Sequence, residues 1–287
     1  MRNYTRLLTV VLTVCLWQNS YSQANAQALT INNWQIRNQL DSVDARVHQH
    51  SRLSVEMPFM SRVLFSGRDY GLKGIQLAPQ INYFHKSGLT LSAVGYYWSG
   101  VEKRKFLPKT DIGLSYAIKL DDNLSASFGY SRWIYYGKSR SELRWTFDNF
   151  LSTYWTINCG VFGLSPSVYY MTSPAENVVQ TALTASKYFQ WSPIHGGKLI
   201  FEPNITAMMS TNDRYYKAEP DKKAGKVLRI INYELVLPFT FRRVGQYDVT
   251  ARMHLTLPFN TDPWDGAKEG KTAVFFSANV HYFLWKA

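Results

Sequence analysis

The chain has 287 residues, with 32 Lys and Arg against 20 Asp and Glu, a net charge of +12 and two cysteines. The length fits one large domain without demanding two, and two cysteines exclude a disulfide-stapled scaffold. Aromatic residues make up 15% of the chain while mean hydropathy is slightly negative at -0.24, which suits strands with one face toward water and aromatic girdles at two interfaces better than a soluble domain.

Residues 1–26 read as a cleaved signal peptide. Arg2 and Arg6 form a positive start, Leu7 to Trp17 is an apolar run, and Ala24-Asn25-Ala26 offers an A-x-A cleavage site, with Ser20-Tyr21-Ser22 competing. The run is too short to span a membrane as a helix, which takes about 20 apolar residues. Cys15 as a lipid-attachment site is a weak alternative, because Val14 precedes it where a small residue is needed. Removing 26 of the 287 residues leaves 261, a charge of +10, and Cys159 as the one remaining cysteine.

Residues 27–52 form a separate segment. Trp34, Leu40, Val43 and Val47 fall at roughly helical spacing among Arg37, Asp41, Asp44 and Arg46, which predicts a short amphipathic helix lying in the periplasm or plugging a lumen, or a disordered leader.

From residue 53 to 287 the pattern changes to period 2. Ile112, Leu114, Tyr116, Ile118 and Leu120 alternate with Asp111, Gly113, Ser115, Ala117 and Lys119. Val249, Ala251, Met253, Leu255 and Leu257 alternate with Asp248, Thr250, Arg252, His254 and Thr256, and Ile75, Leu77, Ile81 and Tyr83 with Gln76, Ala78, Gln80 and Asn82. The pattern predicts about twelve strands, near 53–65, 71–85, 88–99, 109–120, 123–136, 147–158, 161–172, 177–191, 197–211, 227–241, 246–259 and 272–285. Pro58 makes the first the weakest of them.

Short joints at His85–Gly88, Asp121–Asn123, Asn158–Gly160, Pro193–Gly197 and Arg242–Gly245 alternate with longer ones at Gly100–Lys109, Gly137–Asp148, Ser210–Lys226 and Asn260–Lys271. The fold class expected is all-β: an antiparallel up-and-down transmembrane β-barrel of about twelve strands, preceded by the short helical segment. With an even count, both termini and the short turns share the periplasmic side. A soluble sandwich or lipocalin-like barrel has the same period with its faces reversed. The number of strands, the Tyr and Trp near strand ends, and the aromatic final strand from Val274 to Trp285 weigh against it.

Ser61-Arg62-Val63-Leu64-Phe65-Ser66-Gly67-Arg68-Asp69-Tyr70-Gly71, Pro79-Gln80-Ile81-Asn82-Tyr83-Phe84-His85-Lys86-Ser87-Gly88 and Gly95-Tyr96-Tyr97-Trp98-Ser99 resemble a family of outer-membrane β-barrel proteins found in Bacteroidota. The resemblance runs from about Ser61 to the C-terminus and is strongest before residue 136. It implies fold and location, outer membrane after export, and no assigned activity. The last strand resembles the C-terminal signal read by the barrel-assembly machinery, a biogenesis partner, but departs from it in that Lys286-Ala287 follow the aromatic.

No G-x-S-x-G, H-E-x-x-H, P-loop or paired C-x-x-C is present, so the sequence assigns no catalytic residue, no metal and no cofactor. His48 and His50 are weak as a metal pair, and His85 and His195 read as solvated turn residues. If the apolar face meets lipid, Glu202, Asn204, Thr206, Asn232, Glu234, Arg252, His254, Asn279 and His281 face the lumen. There they form either a filling polar network or a constriction that selects solutes. The facing of the last strand stays open, because Phe275, Phe283 and Trp285 share a face with Asn279 and His281. Basic residues gather on the long loops: Lys103, Arg104 and Lys105, then Lys138, Arg140 and Arg144, then Lys222 and Lys223. These suit the anionic head groups of outer-membrane lipid and lipopolysaccharide. Nucleic acid is a poor partner, since the clusters lie on separate loops without a binding motif.

The expected function is a narrow small-solute pore or binding barrel without intrinsic catalysis. One alternative is a structural barrel with a filled lumen acting through its basic outer loops. Another is a membrane-embedded hydrolase, which would need a nucleophile and a histidine within hydrogen-bond reach at the lipid-facing barrel surface, whereas His254 and His281 are expected to point the other way.

Overall fold

The computed structural model describes residues 51–61, 64–65, 68–69, 75–99, 109–136, 147–174, 177–191, 197–211, 228–243, 246–258 and 272–286. Within them twelve antiparallel strands close into one barrel. They are β1 (Arg52–Met60), β2 (Gln76–Leu77 and Gln80–Phe84), β3 (Leu89–Trp98), β4 (Lys109–Lys119), β5 (Leu124–Tyr135), β6 (Asn149–Asn158), β7 (Gly163–Thr172), β8 (Asn177–Ser186 and Phe189–Trp191), β9 (Lys198–Phe201 and Asn204–Ser210), β10 (Arg229–Arg243), β11 (Tyr247–Pro258) and β12 (Ala273–Lys286). Each pairs with the next, and β12 returns to β1, with Arg52 opposite Lys286 and Met60 opposite Ser277. Closure leaves no open sheet edge, which is the condition for strands to cross a bilayer.

The period-2 segments fold where the alternation places them. Three strands are interrupted, β2, β8 and β9, and a proline lies at or beside each break. β1 pairs with Gln80–Phe84 as far as Glu56 and with Gln76–Leu77 from Phe59. Pro58 therefore lies beside the break at Ala78-Pro79, and its carbonyl still accepts from the Ala78 amide at 3.0 Å. Likewise β9 breaks at Glu202-Pro203 while β8 breaks at Lys187-Tyr188, and Lys187 N–H donates to the Pro203 carbonyl across the gap. Prolines without a ladder donor sit where the ladder is already open. The predicted first strand ends earlier than expected, at Met60, and is followed by a two-residue ribbon pairing Leu64–Phe65 with Arg68–Asp69.

The turns form as their sequences require. Gly88 closes the β2–β3 turn at φ 93° and Gly160 the β6–β7 turn at φ 82°, a region that favours glycine. Asp121 Oδ1 accepts from the Asn123 amide in the β4–β5 turn at 2.6 Å. These turns lie at the same end of the barrel as Arg52 and Lys286. The opposite end carries the long connections, with one exception: only residues 173–176 join β7 to β8.

The faces sort by polarity, inside out relative to a soluble protein. Ile112, Leu114 and Tyr116 on β4, Phe128 on β5, Leu151 on β6, Ile205 on β9, Phe239 on β10 and Phe276, Val280 and Leu284 on β12 are all exposed on the outer wall. A continuous apolar exterior of this extent is unstable in water and stable in lipid, so the barrel is a transmembrane one. Phe275, Ser277, Asn279 and His281 alternate with that outer row and are buried inside. The final strand therefore turns its polar residues inward together with Phe275.

The expected signal peptide, the expected helical segment up to residue 50, and the whole set Lys103, Arg104, Lys105, Lys138, Arg140, Arg144, Lys222 and Lys223 lie outside the described residues.

Candidate functional site

The barrel interior has two unlike walls. On β3 to β6 the inward positions are small. In register across the strands run Ser92, Gly113 and Ser131, then Ser115, Gly129 and Ser152. These six are half-buried, although flanking interior groups such as Ala117 and Trp133 are sealed. The absent side chains leave these positions partly exposed along this wall. They also let the neighbours close in, since a Cβ on Gly113 would meet Ser92 Oγ at 2.5 Å.

The other wall, from β10 through β12 to β2, carries Glu234, Asp248, Arg252, His254, His281 and Glu56. Its centre is Glu56 on β1, which is 3% exposed. One carboxylate oxygen accepts from Asn82 Nδ2 at 2.9 Å and the other from Asn279 Nδ2 at 2.9 Å. Gln80 Nε2 donates onward to Asn82 Oδ1 at 2.6 Å, and His281 Nε2 stands 3.9 Å from Glu56. Nearer the turn end, Asp248 takes a two-pronged contact from Arg242, with Nε at 3.2 and 3.1 Å from its two oxygens. Such charge-assisted contacts offset the burial of each carboxylate.

A second cluster joins three consecutive strands. Glu234 on β10 meets His254 on β11 at 2.7 Å, Oε1 to Nδ1. His254 Nε2 lies 2.8 Å from Ser277 Oγ on β12. The ring is stacked on Phe275 with centroids 4.3 Å apart and planes 11° from parallel. In the tautomer with the proton on Nδ1, His254 donates to Glu234 and its Nε2 accepts from the Ser277 hydroxyl. Arg252 is directly opposite Ser277 in the β11–β12 register and faces the same interior.

At the loop end the wall is aromatic. Lys109 Nζ lies 2.8 Å from the centroid of Trp133 and 4.1 Å from that of Tyr96, and the indole N–H of Trp133 donates to Asp111 at 3.0 Å. Phe150 packs on Trp133 at 4.2 Å, and Tyr154 meets Tyr169 edge-on at 5.5 Å. The Lys109 side chain is buried against these two aromatic faces.

The nine interior residues named from the sequence all face inward, but they do not form one network. Asn279 and His281 belong with Glu56, and Glu234 and His254 with Ser277. Glu202 accepts from Ser186 Oγ at 3.0 Å, Asn204 donates to the Glu202 carbonyl, and Thr206 pairs with Thr184. Among the described residues neither atom of the Asn232 amide has a hydrogen-bond partner. His85 is a turn residue, with Nδ1 2.8 Å from Ser87 Oγ. Sequence reasoning passed over Glu56, Asn82, Ser277 and the Lys109 cage. Ser277 was within reach, because it shares the two-residue period of Asn279 and His281. Glu56 was hidden by Pro58, which weakened its strand.

No family model and no curated protein matches the chain. Solved structures similar to it in chain path include the KdgM porin, at 9% identity over 80% of this chain and 98% of that one, with TM-score 0.47. The NanC porin is similar at 11% identity over 80% and 98%, with TM-score 0.46. LpxR from Salmonella typhimurium is similar at 9% identity over 80% and 100%, with TM-score 0.43.

Proposed function

We propose that this chain is an integral outer-membrane β-barrel whose narrow interior binds or passes small polar solutes. The observation that carries this reading is the half-buried Gly and Ser wall of β3 to β6 facing a wall of carboxylates, amides and imidazoles. Space on one side and hydrogen-bonding groups on the other suit a hydrated solute. Twelve strands lie between the eight that side chains fill and the sixteen that leave a wide aqueous channel. The small wall supports a narrow path. In the same reading Lys103, Arg104, Lys105, Lys138, Arg140, Arg144, Lys222 and Lys223 contact anionic head groups of the outer leaflet.

A second reading is a barrel filled by side chains. It is favoured by Asn82, Asn232, Glu234 and His281, which have no exposed surface at all. Conductance of the refolded protein in a planar bilayer separates the two, measured with and without residues 27–50. A steady conductance, with ion selectivity changed by Arg252→Ala, is the expected result. Conductance only after the deletion makes the leader a plug. Silence in both forms, with the fold verified by heat-modifiable gel migration, overturns the pore and leaves the filled barrel.

A further inference from the structure

We propose that Ser277, His254 and Glu234 form a hydrolytic site in the interior wall, acting on a small polar ester that enters the lumen. The inference rests on the geometry of these three side chains and not on permeation.

The chemistry of nucleophilic catalysis asks for a hydroxyl bonded to a base, with the base oriented by a third group. All three conditions are met by residues the barrel ladder fixes on adjacent strands. Ser277 Oγ is 2.8 Å from His254 Nε2, and Glu234 is 2.7 Å from Nδ1. The stack on Phe275 holds the ring in plane. The carboxylate also sets the tautomer in which Nε2 takes the serine proton. Arg252 is opposite Ser277 in the ladder and shares its inward face.

A purely structural network satisfies its members. This one does not. Glu234 Oε2 and both polar atoms of Asn232, two residues away on the same face, have no hydrogen-bond partner among the described residues. Both residues are fully buried. Those atoms are unused donors and acceptors on the interior face beside the Ser277 cluster.

In the first step Ser277 Oγ bonds to the ester carbonyl carbon as its proton passes to His254 Nε2. The bond from that carbon to the leaving oxygen then breaks, and the alcohol departs with the proton from His254. Water attacks the acyl-serine with His254 again as base, releasing the carboxylic acid and restoring Ser277. Glu234 is a positioning residue that stabilises the imidazolium without reacting.

The test is labelling of the full-length refolded protein with a small fluorophosphonate, read by intact mass and peptide mapping. The expected result is a single adduct on Ser277, absent in Ser277→Ala and at least tenfold slower in His254→Gln and Glu234→Gln. A folded wild-type barrel that leaves Ser277 unlabelled overturns the proposal, as does equal labelling in His254→Gln. If Ser277→Ala fails to fold, Ser277→Cys in a Cys159→Ser background replaces it. Alkylation by iodoacetamide should then be at least tenfold faster with His254 than with His254→Gln, and equal rates overturn the site. A barrel that labels Ser277 yet conducts nothing keeps this inference and sinks the pore.

Discussion

Glu56 takes hydrogen bonds from two buried amides, on β2 and β12, at residues 26 and 223 positions away in the chain. Replacing it by alanine leaves both donors without an acceptor, and each such group costs about 1–3 kcal/mol. Glu56→Ala should therefore lose roughly 3 kcal/mol or more in urea unfolding followed by Trp fluorescence, while Glu56→Gln, which keeps one acceptor, loses less. A loss within error of zero for the alanine variant would mean that the two amides find other partners. At the surface, Asp122 sits 2.6 Å from Lys119 Nζ in the β4–β5 turn. The hydrogen bond and then the charge of Lys119 hold its carboxyl below the usual carboxylate range. A lowered carboxyl favours the folded turn at pH values above the range of an unfolded aspartate, and that contribution fades as pH falls through the folded value. Titration of Asp122 by NMR should show the depressed midpoint, and Lys119→Met should return it toward the usual range.

At the scale of the strand, side-chain size is as telling as polarity. Gly113 lies between Ser92 and Ser131 in the ladder, and a Cβ there meets Ser92 Oγ at 2.5 Å. Gly113→Val overpacks the wall and should cost about 1–3 kcal/mol, read as a lower temperature of heat-modifiable migration. Ser92→Gly in the same chain should recover most of the loss, because the two sites are in contact and not additive. Failure of that rescue would place the strain elsewhere on the strand. The alternation of β4 was legible from Asp111 to Leu120, because polarity switches at every residue. The small wall was not, because a lone Gly or Ser in one strand acquires meaning only when the register brings others beside it. The loss of pairing at Ala78-Pro79 and Glu202-Pro203 was hidden for the same reason: each break is shared by two strands.

At the scale of the whole barrel, the outward and inward faces answer to different solvents. Leu114 is exposed on the outer wall and Ser115 is its inward neighbour. Arginine at a lipid-facing position near the bilayer midplane costs about 2–4 kcal/mol. Leu114→Arg should therefore destabilise the barrel in lipid vesicles, whereas Ser115→Arg should change stability less and reduce conductance. A soluble barrel would give the reverse order, with Ser115→Arg the damaging change. The same closure that hides every edge brings β1 against β12, and with it Glu56 against Asn279 and His281.

What the sequence determined by itself was the strand and the alternation of its two faces. The period of 2 is a local property of an extended chain, and it puts Ile112, Leu114 and Tyr116 on one face without reference to any other residue. The even count of strands followed by adding such segments. Tertiary structure alone decided which interior groups meet. The pairing of Glu234, His254 and Ser277 depends on two ladder registers, and that of Glu56 with Asn279 on the register at which the barrel closes. A shift of one residue in a register turns every side chain of a strand to the other face, and no local pattern encodes how strands that far apart in the chain align.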